Sequence, residues 1–296
     1  MPDDKTRSVT PPPFGLESPK PGLVSVIIPT KNSEKYLERT LKSIRAQTYP
    51  EIEIVLVDNF STDLTPEIAR RYVDKFFQKG PERQAQRAYA LSQISGEFLL
   101  HHACDLVLQP DAIQECVDLI QQGWDGVEID WIPDETIGFW AKVRKLELML
   151  YINNQQNFRP NFSRADTFRR AGGYDTRVTV AGDDYSTKIA YDRIGAKCIA
   201  TKSMMLHIGE PKRLGTWVRK DVYYGRSLPA FWRAQGKLGR MTFAPPVRTY
   251  WRNRKILLRS GPKMFSAFVL YRSIRYLSGT IGILSEKALI LKKGKS

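Results

Sequence analysis

Cysteine is scarce in this chain. Cys104, Cys116 and Cys198 are the only three, they show no metal-type spacing, and they cannot pair off without leaving one over. A disulfide framework is thereby excluded, and a reducing cytosol is the expected setting. Long apolar runs are missing too. No window reaches the ~18 uninterrupted apolar residues of a spanning helix, because Arg272, Arg275 and Glu286 break the most hydrophobic stretch. The opening MPDDKTRSVTPPPFGLESPKPG has acids and prolines where a signal peptide needs a basic and then an apolar segment, so residues 1–22 are expected to form a disordered tail. Acidic residues are rare in one region only. Residues 212–296 carry 20 Lys/Arg against Asp221 and Glu286, a net +18, whereas residues 1–211 net −3. Such a patch attracts nucleic acid, anionic lipid headgroups or phosphorylated substrates. No base-stacking or helix-turn-helix signature accompanies it, which weighs against nucleic acid.

What is present is a globular composition, 42% hydrophobic, with a regular alternation of patterns. Val24 to Ile28 is a nearly continuous β-branched run, as a strand buried on both faces requires. Pro29 ends it, Ser33 is a candidate N-cap, and Tyr36, Leu37, Leu41 and Ile44 recur at helical spacing until Thr48-Tyr49-Pro50. Glu53 to Val57 is a second strand, and Ser61 or Thr62 is placed to cap a helix carrying Ile68 and Tyr72. Strands at 73–77 and 97–101 and helices at 83–94 and 110–120 continue the series. Strands alternating with helices of 10–15 residues predict a mostly parallel sheet flanked by helices, with ligands held at its carboxyl edge. That edge carries polar turns: Thr30, Lys31 and Asn32, then Asp58, Asn59 and Ser61, then Asp105. Asx and Ser residues are ordinary turn formers, so each turn alone says little. Three together suit a nucleotide, and a carboxylate beside a diphosphate is a natural ligand for Mg²⁺ or Mn²⁺.

Towards the C-terminus, Arg272, Arg275, Gly279, Gly282 and Glu286 share one helical face and Leu270, Ile274, Leu277, Ile281 and Leu284 the opposite one. The pattern fits a helix lying in a membrane interface, and equally a helix packed on its own domain with a solvated basic side.

VSVIIPTKN, VDNFSTD and ERQAQRAYALSQISGEFLLHHACDLVLQPD together resemble the inverting family 2 of glycosyltransferases, over roughly Val24 to Glu210. The resemblance implies a GT-A (Rossmann-like) fold and a nucleotide-sugar donor. It places Pro29, Thr30, Asn32, Asp58 and Asn59 at the nucleoside and Arg87 near the diphosphate, where a guanidinium fork suits an anion. The family's Asp-x-Asp motif is altered. Ala103-Cys104-Asp105 keeps only the last acid, so Asp105 is the expected metal ligand of a weakened site, and a thiol does not replace the lost oxygen. His101 and His102 just upstream are expected to pack rather than ligate, while His207 in MMLHIGE falls where many relatives place a His that completes the metal site or contacts the diphosphate.

The segment AGGYDTRVTVAGDDYSTKIAYDRIGAK resembles the family's acceptor side, with Asp184 as general base and Asp183 positioning the acceptor or tuning its neighbour. The other reading of these two acids is that they complement a helix dipole. Trp140, with Trp131, lies in a stretch that resembles one between the two halves lining the sugar or acceptor pocket, and two tryptophans buried in a core would give the same pattern. The processive members' Gln-x-x-Arg-Trp motif is absent, which implies transfer of a single sugar. The resulting expectation is a GT-A catalytic domain at 23–210, with a donor half at 23–110 and an acceptor half at 111–210, followed by a basic amphipathic helical extension at 211–296. A non-processive, inverting transferase is implied, acting on a glycan or lipid-linked acceptor at the inner face of the cell membrane. The alternative is a catalytically impaired relative that binds nucleotide sugar or a partner enzyme, for which Ala103 is the motivating residue.

Overall fold

The computed structural model describes residues 19–151, 158–178, 182–241 and 247–293, so most of the expected tail lies outside the described residues. Its end does not. β1 spans Lys20–Thr30 and begins ahead of the expected domain start at residue 23. The Lys20 amide donates to the Ser95 carbonyl (2.8 Å) and the Gly22 amide to Glu97 Oε2 (2.9 Å). Gly22, at φ 74°, takes up the irregularity in register that lets both ends of the strand pair.

After β1 come α1 (Glu34–Arg45), β2 (Ile52–Asp58), α2 (Thr65–Arg70), β3 (Lys75–Gln78), α3 (Arg83–Leu91) and β4 (Gly96–His101). These are the predicted alternating units. β3, β2, β1 and β4 lie side by side and all parallel. The uninterrupted apolar run of β1 follows from helices on both faces. Val24, Val26 and Ile28 pack with Leu37, Leu41 and Ile44 of α1, while Ile27 packs on the other side with Ala90 and Leu91 of α3.

The second half contributes β5 (Leu106–Leu108), α4 (Ala112–Gln121), β6 (Gly126–Glu128), β7 (Trp131–Pro133), α5 (Phe139–Met149), β8 (Phe162–Arg164), α6 (Ala165–Arg170), α7 (Asp183–Arg193), β9 (Cys198–Ala200) and β10 (Met205–His207). β8 inserts antiparallel between β4 and β6, and β9 closes the edge, so the sheet order is β3-β2-β1-β4-β8-β6-β9. A small sheet, β5-β10-β7, sits beside it.

Two expected caps differ. Ser33 stands at the α1 N-cap, yet its hydroxyl bonds the Lys31 carbonyl (3.1 Å) and Cys104 Sγ (3.2 Å) instead of a helix amide. α2 starts at Thr65, whose amide donates to Asp63 Oδ1 (3.0 Å), because Ser61 is already held by Asp58.

The extension is helical, as expected: α8 (Leu214–Met241), kinked at Gly236, then α9 (Val247–Arg252), α10 (Arg254–Arg259) and α11 (Pro262–Lys293). α11 lies against α8 at a separation only glycine permits. A Cβ on Gly225 would sit 2.3 Å from the Gly279 carbonyl oxygen, and one on Gly282 2.3 Å from that of Val222. The α11 face with Arg272 and Arg275 therefore points into the protein, which overturns the reading of a solvated basic side. Arg275 pairs with Asp221 of α8 (2.7 and 2.9 Å) and Arg272 with the buried Glu147 of α5.

Candidate active site

The carboxyl ends of β1 and β2 meet in register, Thr30 opposite Asp58. Asp58 is fully buried. Its carboxylate accepts from Thr30 Oγ1 (3.0 Å), the Ser61 amide (2.8 Å), Ser61 Oγ (2.5 Å) and, longest, Gln78 Nε2 (3.4 Å). Asp58 thus holds the turn together, and a bound base would compete first with the weak Gln78 contact. Asn32, left-handed at φ 47°, ties the two turns by accepting from the Thr62 amide (2.9 Å) while its own amide donates to Ser61 Oγ (2.7 Å). Asn59 donates to the Pro81 carbonyl (2.6 Å), and buried Gln86 donates to the carbonyls of Thr30 (2.9 Å) and Val57 (2.6 Å). Pro29 is buried one residue earlier. Between these groups Phe60 is 61% exposed at φ 50°, a conformation an aromatic residue rarely adopts.

Asp105 and His207 do come together. His207, at the end of β10, pairs in register with Leu106 of β5, which sets its Nε2 3.0 Å from Asp105 Oδ2. Its Nδ1 lies 2.9 Å from Glu210 Oε1, so both ring nitrogens are oriented by carboxylates. Burial opposes the imidazolium, but Asp105 and Glu210 outweigh it and raise the His207 pKa to about 9. Burial likewise opposes the Asp105 anion, and His207 and Lys220 of α8 outweigh it to lower its pKa. Gly209 is part of this arrangement, since a Cβ there would lie 2.2 Å from Asp105 Oδ2.

These residues fit a divalent ion once the His207 imidazole gives up the proton it shares with Asp105, because only the neutral ring ligates. Adjacent ligands of a six-coordinate Mg²⁺ stand about 3 Å apart, the separation seen here, and a carboxylate on the far imidazole nitrogen is the usual second partner of a metal-binding histidine. Glu210 Oε2 is buried with no hydrogen-bond partner. Among the described residues no three His, Cys, Asp or Glu side chains form a complete cage, so most of the shell would be left to phosphate oxygens and water. Cys104 is unsuited as a ligand, with burial and Asp105 pushing its thiol up to about 12.

α3 and α7 meet at Asp183. Arg87 and Arg83, one turn apart on α3, reach Asp183 Oδ2 at 2.6 and 2.9 Å. Gly182 before it has φ 86° and a Cβ there would meet Phe231 at 2.5 Å, so only glycine opens α7 at this point. Asp183 and Asp184 are pushed in opposite directions. Burial works against the Asp183 anion, but the two arginines prevail and lower its pKa. Asp184 is exposed at this recessed position, and the surrounding protein and the Asp183 charge raise its pKa against Arg159, Arg87 and Arg83. Neighbouring carboxyls split in this way divide the roles of anchor and base.

Several participants escaped sequence reasoning. Arg83 lay in a quoted motif, four residues before Arg87, where helical spacing was the available signal. Glu128, at the end of β6, is pushed up to about 7 by burial and by Asp130 and Asp184, against Arg159, which stands 3.3 Å away. Trp140 packs on Phe139 and Tyr271 beside the apolar cluster of α5 and α11. Trp131 is the tryptophan at the site, edge-on to His207 with centroids 4.8 Å apart. His101 and His102 pack as expected. Burial and the nearby Arg87 take His101 down to about 3 beside Phe168 and Tyr174, and burial takes His102 to about 4.

Comparison with known proteins identifies the family and the fold. Residues 25–177, just over half of the chain, match the model for glycosyl transferase family 2. The chain belongs to that family. It is 35% identical over 107 residues to the poly(ribitol-phosphate) beta-N-acetylglucosaminyltransferase TarS of Staphylococcus aureus, covering 33% of this chain and 19% of TarS. The matched segment thus spans about a fifth of that relative's length. In structure the chain resembles S. aureus TarS in complex with UDP (TM-score 0.50, 21% identity, 91% of this chain and 92% of that one). It also resembles the mannosyltransferase PcManGT of Pyrobaculum calidifontis in complex with GDP-Man and Mn²⁺ (TM-score 0.55, 19% identity, 92% and 75%). These likenesses show the GT-A fold. The family match ends before Asp183, so the roles of Asp183, Asp184 and His207 rest on the site's own geometry.

Proposed function

We propose that this family 2 glycosyltransferase moves one sugar from a nucleotide-diphosphate sugar to an acceptor hydroxyl, with inversion at the anomeric carbon. The observation that carries the reading is the pair Asp183 and Asp184, one anchored by two arginines and the other exposed with a raised pKa. Asp184 takes the proton of the acceptor hydroxyl as it attacks opposite the departing diphosphate, a single displacement that inverts the centre. The turns at Thr30 to Asn32 and Asp58 to Ser61 hold the nucleoside, with Phe60 offering a ring to the base. Arg83 and Arg87 face the diphosphate. Asp105 and His207 would hold Mg²⁺ or Mn²⁺, which would supply charge neutralisation to the leaving nucleotide. Binding of UDP by TarS and of GDP-Man with Mn²⁺ by PcManGT supports a donor and ion of this kind.

A single transfer, rather than polymer synthesis, is favoured by the missing Gln-x-x-Arg-Trp motif. The acceptor is a cell-surface glycan, polysaccharide or glycolipid handled on the cytoplasmic side. Incubation with UDP-, GDP-, dTDP- and CMP-sugars and Mn²⁺, with release of free nucleotide as readout, tests the activity. Consumption of one donor supports the reading, and consumption of none, despite nucleotide binding, favours a second. That second reading is a relative that binds nucleotide sugar without transferring it. Its support is specific: Ala103 leaves Asp105 as the motif's one acid, and Cys104 is turned towards Ser33.

A further inference from the structure

α11 is inverted relative to a helix on a water-soluble surface. Its charged residues between Phe265 and Leu284, Arg272 and Arg275, are engaged inward with Glu147 and Asp221, and every exposed side chain in that stretch is uncharged. Val269, Leu270, Leu277, Ile281 and Leu284 line the exposed arc, Leu277 at 64%. At 1.5 Å per residue this stripe, from Val269 to Leu284, is about 22 Å long. An apolar stripe of that length on a soluble monomer marks a contact surface.

The neighbouring helices identify its occupant. Tyr250 of α9 packs on Phe268 of α11 (5.4 Å between centroids), and Leu257 of α10 joins the same apolar cluster, so the three helices form one body. On that body Arg252, Arg254, Lys255 and Arg259 are exposed, interleaved with Trp251, 71% exposed, and Leu258. Residues 247–285 include no acid. Cations beside an aromatic and an aliphatic stripe are the chemistry of an anionic bilayer surface, in which headgroups take the guanidiniums and the acyl boundary takes the leucines. A second copy of the chain docking through the same face would set these cations against each other. Among the described residues no helix is long and apolar enough to cross a bilayer, so the mode of contact is lying on the surface.

We propose that the outer face of α11, flanked by α9 and α10, docks the protein on anionic lipid. This surface is separate from the residues assigned to sugar transfer, and either assignment can fail without the other. The test is flotation of the full chain with vesicles of phosphatidylcholine alone or with about a third phosphatidylglycerol. The expected result is flotation with the anionic vesicles, lost about tenfold with neutral ones. Leu277→Glu with Ile281→Glu, and separately Arg252→Glu with Lys255→Glu, should each abolish flotation while circular dichroism and stabilisation by nucleotide stay unchanged. Failure of the unaltered chain to float, flotation independent of lipid charge, or a stable solution dimer that the leucine-face substitutions dissolve would each overturn the proposal.

Discussion

The Arg87 guanidinium donates a 2.6 Å hydrogen bond to Asp183, 96 residues later, and so fastens α3 and the parallel strands it packs on to the start of α7. Arg83 shares the same carboxylate oxygen. Asp183→Asn should therefore loosen the joint between α3 and α7, destabilising the fold by about 1–3 kcal/mol as two recessed guanidiniums lose this anion. Urea unfolding at neutral pH measures it. Because the folded pKa of Asp183 is lowered, its contribution is present above the ordinary aspartate range and disappears as pH falls through the folded value, so the two proteins should converge in acid.

The same substitution moves the pH profile. Asp184 is raised by the surrounding protein and by Asp183, so kcat/KM should decline with falling pH earlier than an ordinary aspartate would dictate. Asp183→Asn removes the like charge and leaves Arg83 and Arg87 to favour the Asp184 anion. The acid limb should then shift to lower pH; an unchanged limb would assign it to another group.

Gly209→Ala tests the metal pair. The added methyl would press on Asp105 Oδ2, so the carboxylate or the residue 209 backbone must shift, which disturbs the contact with His207. Mn²⁺ affinity in the presence of UDP, followed by calorimetry, should fall about tenfold, as for loss of a supporting contact at a metal ligand.

Glu147 tests the attachment of the extension. This carboxylate, 2% exposed, faces Arg144, Arg272 and Arg275 (the last at 3.9 Å) and pins α11 to α5. Glu147→Gln should cost about 3–5 kcal/mol, since it leaves buried guanidiniums without their counter-charge. Calorimetric Tm of the full chain reports it.

The parallel core was legible because burial on both faces demands unbroken apolar strands and 3.6-residue periodicity marks α1. Asp105 and His207 were legible through the ordered motifs around them. Other features were hidden because the sequence does not show partners distant along the chain. Periodicity separated the two faces of α11 but not which one turns inward, a choice made by Glu147 and Asp221. The packing partner of Trp140 was hidden in the same way, since Tyr271 lies 131 positions later. Ser33 carried the residue type of a cap, but Lys31 and Cys104 claimed its hydroxyl.

The most direct measurement is turnover by Asp184→Asn, using whichever nucleotide sugar the unaltered protein consumes with Mn²⁺. The account predicts at least a hundredfold loss of kcat, of the order a lost general base brings, with nucleotide-induced thermal stabilisation intact. Near-normal turnover in that variant would contradict it.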